Sequence, residues 1–373
     1  MHTEIIKVDA RRPDAEIVRK AAEVLEMGGL IVFPTETVYG IGCVAQRSSV
    51  ERLNKLKQRS GQKRYTLHIG RKEDVARYAP VRDARVKKLI ETGWPGPITI
   101  VFELDGSVLC NQRKVFDEEV FNCLYPDNSI GIRCPDSAIA SAVLSVCRKP
   151  VFVPSANLAG QEPATDIKGV ADQLAGSVEL VLDGGACAYK KSSTVVKAGA
   201  KGWEVLREGA YSIEQIRDMS VVRILFVCTG NTCRSPVAEG LCRKYLSEKL
   251  GCGLDELESI GYMVDSAGIA AIGGMGASAE SIAFCEKEEV NISSCRSKAI
   301  STEMVERSDY IFAMSADHIE HICSVWPDAA KKCRLLTEEE EISDPIGGCQ
   351  DVYIRCGEMI KQGVLKRVGE FLQ

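Results

Sequence analysis

Residues 226–240 read Phe-Val-Cys-Thr-Gly-Asn-Thr-Cys-Arg-Ser-Pro-Val-Ala-Glu-Gly and decide the fold of the C-terminal half. The apolar run 221–227 predicts a buried strand, and Pro236 is typical of the first turn of a helix. A glycine-containing loop between them carries Cys228 at one end and Arg234 at the other. A helix N-terminus attracts an anion, and a guanidinium binds two phosphoryl oxygens at once. The stretch therefore predicts a phosphate-binding loop with a thiolate beneath the phosphoryl group.

The spacing of cysteine and arginine alone is weak evidence. Cys349 and Arg355 repeat it, with residues 350–354 between them. This second match has no glycine and no strand before a helix. It predicts a helix that carries a structural cysteine and a surface arginine.

The surroundings of Cys228 resemble those of the low-molecular-weight protein tyrosine phosphatase family. The residues that match its signature loop are Cys228, Gly230, Asn231, Cys233, Arg234 and Ser235. The resemblance implies that Cys228 is the nucleophile, that Arg234 binds the phosphoryl group and that Ser235 donates to the sulfur. A phosphatase of this kind is expected to need no cofactor.

The resemblance also implies a general acid in an Asp-Pro pair near the C-terminus, where Asp344-Pro345 stands. An alkoxide or amine leaving phosphorus needs a proton, which Asp344 would supply. The same carboxylate would then activate water against the phosphocysteine. The expected substrate is a phosphorylated protein.

The substrate class depends on Thr232. Tyrosine-specific members usually carry isoleucine there and an aromatic residue directly after the Asp-Pro pair, where this chain has Ile346. The pattern is similar to bacterial protein-arginine phosphatases of the same family, in which a loop threonine favours phosphoarginine. The alternative is that Thr232 is a neutral replacement in a tyrosine phosphatase. Cys233 adds a further hypothesis, a reversible disulfide with oxidised Cys228.

The chain has 373 residues, and this length favours two domains, expected at 1–217 and 221–373. A formal charge of −5 argues against a strongly basic surface that coats nucleic acid. The N-terminal residues predict neither a secretory signal nor a membrane anchor. The 16 cysteines are scattered, which favours a reducing cytoplasm. His318 and His321 share a predicted helix without further ligands, so no metal site is assigned.

Strand and helix patterns alternate along the first half, and a strand–loop–helix pattern restarts at Val221. The C-terminal half then predicts a small parallel sheet flanked by helices. The predicted strands are 29–32, 66–69, 151–154, 178–182, 194–196, 221–227, 262–266, 310–314 and 333–336. The predicted helices are 48–57, 81–92, 212–217 and 236–250, the last ended by Gly251.

Polar turns recur in the N-terminal half. Residues 33–40, Phe-Pro-Thr-Glu-Thr-Val-Tyr-Gly, follow a predicted strand and place hydroxyls and a carboxylate in one tight turn. Lys57 and Arg59 alternate along one side of an extended segment, so both cations can face one polyanion. Further turns carry hydroxyl, guanidinium and amide groups, at residues 94–99, 131–133 and 154–158.

In this order the segments resemble the YrdC-like threonylcarbamoyl-AMP synthase family over residues 1–217. The resemblance implies a twisted, mixed α/β sheet, followed in this chain by the small three-layer α/β phosphatase domain. Family members combine L-threonine, bicarbonate and ATP into threonylcarbamoyl-AMP and pyrophosphate, and the product serves tRNA threonylcarbamoyl-transfer machinery. ATP is a substrate, and Mg²⁺ is expected with it.

The resemblance also implies roles for single residues. The positions expected to contact the nucleotide are Lys57, Arg59, Ser155, Asn157 and Arg207. The positions expected around threonine are Thr35, His68, Arg133 and Ser193. Arg133 suits the threonine carboxylate because a guanidinium fork matches two oxygens.

The chain departs from the family pattern in three places. Family members commonly have Asn-Pro-Leu where this chain has Tyr65-Thr66-Leu67. Ser192 stands in place of a glutamate, and the stretch 110–128 reads as an insertion. A rival hypothesis follows, in which the N-terminal half is a non-catalytic module that binds RNA through phosphate contacts. In that case only the phosphatase would be active.

Overall fold

The computed structural model describes residues 2–58, 64–199, 202–338 and 340–372. It divides into two compact units. The first comprises Met1–Val81 and Val86–Met219, and the second comprises Arg82–Arg85 and Ser220–Gln373. None of the helices in the described part of the chain combines the length and apolarity needed to span a bilayer.

The first unit alternates strands and helices. Its described strands are β1 Glu4–Lys7, β2 Ile31–Pro34, β3 Tyr39–Val44, β4 Leu67–His68, β5 Ile98–Glu103, β6 Ser129–Arg133, β7 Val151–Phe152, β8 Leu180–Asp183, β9 Thr194–Gly199 and β10 Gly202–Arg207. The described α-helices that lie wholly or mostly in this unit are α1 Ala15–Glu26, α2 Arg47–Leu56, α3 Ala84–Gly93, α4 Gly106–Val115, α5 Glu118–Leu124, α6 Ala138–Val146, α7 Ile167–Leu174 and α8 Ile213–Ser220. Short 3-10 turns lie at Lys72–Arg77 and Pro126–Asn128.

Within the described residues these strands form one ten-stranded sheet in the order β1-β8-β2-β3-β7-β4-β6-β5-β9-β10. The sheet is mixed, because β2 runs parallel to β8 but antiparallel to β3. Residues 33–40 form the turn of the β2–β3 hairpin, in which Phe33 pairs with Gly40. The predicted mixed sheet is therefore confirmed. The stretch 110–128, which reads as an insertion, lies in helical structure that includes α5.

The second unit has strands and helices in the order β11 Val222–Cys228, α9 Arg234–Leu250, α10 Leu257–Ile260, β12 Tyr262–Gly268, α11 Ala279–Lys287, α12 Thr302–Arg307, β13 Tyr310–Ala313, α13 Ala316–Val325, β14 Cys333–Leu335 and α14 Gln350–Phe371. Short 3-10 turns lie at Leu254–Glu256 and Pro327–Lys331. Gly251 ends α9 in the left-handed conformation, as the sequence predicts.

The sheet of this unit is parallel, in the order β12-β11-β13-β14. Side chains of β11 alternate between two apolar clusters. Ile224 and Phe226 pack with α9 and α14, whereas Leu225 and Val227 pack with Val305 of α12 and Ile322 of α13. The predicted three-layer arrangement is confirmed. The chain places β12 on one side of β11 and β13 on the other, so the strand order reverses at β11. The carboxyl end of such a strand is the usual ligand position in parallel sheets.

One sequence interpretation needs correction. Arg355 is an exposed residue of α14, as expected, but Cys349 is not a structural core cysteine. It is exposed and lies at the N-cap of α14. An N-cap residue precedes the first packed turn of its helix, so the sulfur has no core position to fill.

Candidate active sites

The phosphate-binding loop predicted from the sequence joins β11 to α9. Cys228 is the last residue of β11, and Arg234 is the first residue of α9. Cys228 is 2% exposed. Its sulfur lies 3.0 Å from Ser235 Oγ and accepts a hydrogen bond from the Asn231 backbone N–H at 3.3 Å. Helix N-terminus, hydroxyl and amide thus surround the sulfur with groups that stabilise negative charge.

Asn231 gives the loop its shape. Its φ is 54°, in the left-handed region that asparagine tolerates better than most residues. The side-chain amide donates to Ser235 Oγ and to Ser266 Oγ, both at 2.9 Å, and its oxygen accepts from the Lys298 backbone N–H at 2.9 Å. These three bonds hold the turn that directs the Asn231 backbone N–H at the sulfur of Cys228.

Arg234 is buried at the other end of the loop. Its Nη1 donates to the Ile342 carbonyl at 3.0 Å, and its Nη2 donates to Thr229 Oγ1 at 3.1 Å and to the Asp344 carboxylate. Nε has no hydrogen-bond partner among the described residues. A buried guanidinium N–H of this kind fits an anion bound in the loop.

Asp344 reaches this site from a segment far along the chain. The Ile342 backbone N–H donates to the Met314 carbonyl at 2.8 Å, which fixes the segment against the carboxyl end of β13. Asp344 itself accepts from the Ile346 backbone N–H at 3.2 Å. Ile346 is 71% exposed. The predicted acid and the predicted phosphate-binding arginine are therefore in direct contact.

Cys233 faces α14, and Thr232 lies beside it in the loop. Cys233 is buried, with its sulfur 3.7 Å from Tyr353 Oη and 3.6 Å from Thr232 Oγ1. Burial, followed by the hydrogen bond with Cys233, raises the pKa of Tyr353 to about 12. The disulfide between Cys228 and Cys233 stays a prediction.

The sequence interpretation missed one neighbour of this loop. His318, considered only as half of a metal pair, lies 3.0 Å through Nε2 from Thr229 Oγ1. Nothing in its spacing along the chain indicates this contact, because Thr229 is 89 residues away. Within the described residues no cluster of three or more metal-ligating side chains occurs.

The first unit contains a polar cavity of about 190 Å³. Six residues singled out in the sequence line it, namely Thr35, His68, Arg133, Ser155, Ser193 and Arg207. The departures from the family pattern line it too, with Tyr65, Thr66 and Ser192 on its wall. Arg59 lies outside the described residues.

Arg133, which lines this cavity, belongs to a buried ion pair. Arg133 Nη2 donates to Glu36 Oε1 at 2.7 Å and to Thr37 Oγ1 at 2.8 Å. Arg133 Nε and Glu36 Oε2 have no partners among the described residues. The sequence interpretation included Glu36 in its polar turn but gave it no role. Its contact with Arg133 arises from the pairing of strands that are distant in sequence, so the local pattern did not indicate it.

His68 is a neutral side chain next to this pair. Burial, followed by the positive charge of Arg133, lowers its pKa to about 3. Its Nδ1 lies 3.2 Å from the Thr66 carbonyl. Since a carbonyl only accepts, Nδ1 carries the proton in this contact and Nε2 is left as an acceptor.

Ser193 and Arg207 also line the cavity and contact each other. Ser193 Oγ is 2.9 Å from Thr99 Oγ1, and Arg207 Nη2 donates to the Ser193 carbonyl at 2.8 Å. Burial, followed by the charge of Arg133, lowers the pKa of Arg207. Thr99 lies in a segment that the sequence indicated as a polar turn without singling out this hydroxyl.

Lys57 supports the loop that follows β7. It is fully buried, and Nζ donates to the Ser155 carbonyl at 2.5 Å, the Asn157 carbonyl at 3.0 Å and Asn157 Oδ1 at 3.1 Å. Ser155 Oγ donates to Asn157 Oδ1 at 2.7 Å. The structure thus brings Lys57, Ser155 and Asn157 together, with only Ser155 of the three lining the cavity.

The fold and the site define a class for each unit. The first is a mixed-sheet α/β domain with a polar cavity, and the second is a parallel-sheet α/β domain with a phosphate-binding loop between Cys228 and Arg234. Residues 23–209 match the Sua5/YciO/YrdC family model, described as telomere recombination. Residues 223–371 match the model of low molecular weight phosphotyrosine protein phosphatases. The chain belongs to the Sua5/YciO/YrdC family and carries a low-molecular-weight phosphatase domain fused to it.

Curated relatives resemble the first part of the chain. A threonylcarbamoyl-AMP synthase of Mus musculus is 32% identical over 215 residues, which cover 54% of this chain and 71% of the relative. Those of Pyrococcus abyssi and Bacillus subtilis are 29% and 30% identical, over 64% and 53% of this chain. The chain spans 67% and 55% of their lengths.

A solved structure supports the fold. Sua5 from P. abyssi is 23% identical, with a TM-score of 0.51 over 72% of this chain and 82% of that chain. At this identity the likeness concerns the fold alone.

Proposed function

We propose that the chain is a bifunctional enzyme, an L-threonylcarbamoyladenylate synthase joined to a cysteine-dependent protein phosphatase. For the first activity, the observation that carries the proposal is the polar cavity in which Arg133, His68 and Ser193 face a common space. The family membership of this unit supports it. The product would pass to the machinery that transfers threonylcarbamoyl to tRNA.

Threonine would bind through its carboxylate to Arg133. Glu36 and Thr37 hold one nitrogen of the guanidinium, while Nε has no partner among the described residues. Neutral His68 adds a hydrogen-bond acceptor to the cavity near Arg133 without adding charge. The amine of threonine then stays free to attack the carbon derived from bicarbonate.

ATP would bind near the loop that Lys57 supports, with Ser155, Asn157, Arg207 and Arg59 as contacts. Mg²⁺ usually binds through substrate phosphates and retains waters, so it would enter with ATP and neutralise the polyphosphate. The protein's own contribution is to hold three reactants in one orientation.

The test is pyrophosphate release from ATP. We expect release that requires both threonine and bicarbonate, and its loss in Arg133→Gln. Arg19→Gln, an exposed arginine on α1, is the matched control. Salt-sensitive RNA binding without pyrophosphate release would instead support the rival, a non-catalytic RNA-binding module.

For the second activity, the observation that carries the proposal is the contact of Cys228 with Ser235 and the Asn231 N–H at the start of a helix. Cys228 would attack phosphorus, and Arg234 would bind the transferred oxygens. The leaving group takes a proton from Asp344, which then activates the water that cleaves the phosphocysteine. An incoming phosphoryl group competes with Asp344 for Arg234, so binding frees the acid for this task.

We favour phosphoarginine over phosphotyrosine as the substrate. Thr232 presents a hydroxyl in the loop, and Ile346 offers no aromatic ring for a phenol to stack on. The test compares turnover of the two phosphoamino acids in native protein and in Thr232→Ile. Loss of phosphoarginine turnover in the variant would support the assignment, and native protein that ignores phosphoarginine would overturn it. Cys228→Ser controls for contaminating phosphatases.

We propose the cytoplasm as the location. A phosphocysteine mechanism requires Cys228 as a free thiol, and a reducing compartment maintains it. A fractionation of cells that finds the chain outside the reducing compartment would contradict this proposal.

A further inference from the structure

His318 connects the phosphatase loop to the helix α13. It is 3% exposed, and both of its ring nitrogens have partners. Nε2 lies 3.0 Å from Thr229 Oγ1, and Nδ1 lies 2.7 Å from Ser315 Oγ. The side chain therefore has a fixed position next to the loop that holds Cys228 and Arg234.

The protonation state of His318 follows from its surroundings. Burial, followed by the positive charge of Arg234, lowers its pKa to about 4, although the acidic groups Asp317, Asp344 and Glu341 oppose this shift. The ring is therefore neutral near pH 7, and one of its nitrogens must accept a hydrogen bond.

The donor-only character of Arg234 fixes the direction of its bond to Thr229, and one tautomer of His318 continues that chain of bonds. Arg234 has only donors, so Thr229 Oγ1 accepts from Nη2. In the tautomer of His318 that carries its proton on Nδ1, the Thr229 hydroxyl donates to Nε2 and Nδ1–H donates to Ser315 Oγ. The bonds run in one direction, from Arg234 through Thr229 to His318 and Ser315.

We propose that His318 is a positioning residue of the phosphatase, which fixes the Thr229 hydroxyl so that its lone pair holds one edge of the Arg234 guanidinium. This inference rests on the proposed phosphatase function. The Ile342 carbonyl at 3.0 Å is a second anchor, and Asp344 is a third that an incoming phosphoryl group would displace. With two edges held, the guanidinium presents Nε to the phosphoryl group in a single orientation. Without His318, the Thr229 hydroxyl can turn its proton towards Arg234 and the contact is lost.

The test uses the full chain with three variants of His318, of which Leu replaces neither ring nitrogen and Gln and Asn replace one each. The amide of Gln reaches the position of Nε2, whereas the shorter amide of Asn reaches the position of Nδ1. We expect His318→Leu to lower kcat/KM for p-nitrophenyl phosphate about tenfold, the effect of one lost hydrogen bond. We expect the inhibition constant of inorganic phosphate to rise by a similar factor. His318→Gln should restore most of both losses and His318→Asn should not.

Three controls separate positioning from folding. His321→Leu, an exposed residue on the same helix, should leave both constants unchanged. Thr229→Val should produce the loss seen in His318→Leu, and the double variant should be no worse than either single one. Equal losses in the Gln and Asn variants that follow their melting temperatures, or additive losses in the double variant, would overturn the proposal.

Binding of inorganic phosphate, followed by calorimetry, separates this inference from the proposed function. If native protein binds phosphate but hydrolyses no phosphoester, the proposed phosphatase function is wrong. The phosphate affinities of the His318 variants then still test the positioning role. If native protein does not bind phosphate at all, both fail.

Discussion

Arg133 and Glu36 form an ion pair at 2.7 Å in which both side chains are almost completely buried, 6% and 5% exposed. They belong to β6 and to the β2–β3 turn, 97 residues apart in sequence. A buried charge without a partner destabilises the folded state, so each of these residues offsets the cost of burying the other. The pair also fixes the orientation of the guanidinium that we propose binds threonine.

Removal of Glu36 should destabilise the first unit strongly. We expect Glu36→Ala to lower the free energy of unfolding by about 3–5 kcal/mol, because Arg133 is left buried and unpaired. Glu51→Ala removes an exposed pair with Arg47, 2.9 Å apart, and should cost about 0–1 kcal/mol. Urea unfolding measures both. Equal changes in the two variants would contradict a structural role for the buried pair.

His68 should make the first unit sensitive to acid. Its folded pKa of about 3 lies below the ordinary 6.5, so the folded state binds fewer protons than the unfolded one. Stability is therefore lost as pH falls below about 6.5, by on the order of 2 kcal/mol at pH 5. His68→Gln should show a shallower loss of stability between pH 6.5 and 4. Identical profiles of stability against pH for the variant and native protein would exclude His68 as the source of the acid sensitivity.

Lys57 should affect ATP more than threonine. Lys57→Met leaves the Ser155 and Asn157 carbonyls without their ammonium donor, at a cost of about 1–3 kcal/mol for each unsatisfied group. The loop near the proposed nucleotide site then loses its shape, and we expect the KM for ATP to rise about tenfold or more. Lys55→Met, an exposed neighbour on α2, is the control. A larger rise in the KM for threonine than for ATP would reverse the assignment of the two subsites.

The two activities should separate cleanly by mutation. Asp344→Asn should slow turnover of a phosphorylated substrate about a hundredfold or more, because the leaving group is no longer protonated. Pyrophosphate release by the first unit should not change. Asp351→Asn, an exposed acid in the first turn of α14, should keep full phosphatase activity. Asp344→Asn protein with native turnover would remove Asp344 from the mechanism.

Gly268 should tolerate no side chain. A Cβ added there would lie 2.5 Å from the Thr229 carbonyl oxygen and 2.9 Å from the Asn231 nitrogen, both backbone atoms of the phosphate-binding loop. We expect Gly268→Ala to displace the loop and abolish most phosphatase activity. Gly276→Ala, whose Cβ meets nothing within 4 Å, is the matched control. Crystals or phosphate titrations that show an undisturbed loop in Gly268→Ala would disprove this steric argument.

Much of the phosphatase loop was predictable because its chemistry is local. Cys228, Arg234 and Ser235 lie on one strand–loop–helix segment, and short-range rules for strands, turns and helix N-termini act on such a segment. His318 was not predictable. Its spacing to His321 indicated only a shared helix face, and its contact with Thr229 arises because α13 follows β13, the neighbour of β11 in the sheet.

The sequence by itself determined the two units, the turn between β2 and β3, and the loop that surrounds Cys228, since backbone preferences act over a few consecutive residues. Only the tertiary structure decided that Arg234 contacts Asp344, that Arg133 is paired with Glu36, and that Lys57 supports the loop after β7. These partners lie about a hundred residues apart. The order of strands in each sheet and the exclusion of water from each core bring them together, and neither property can be inferred from local spacing.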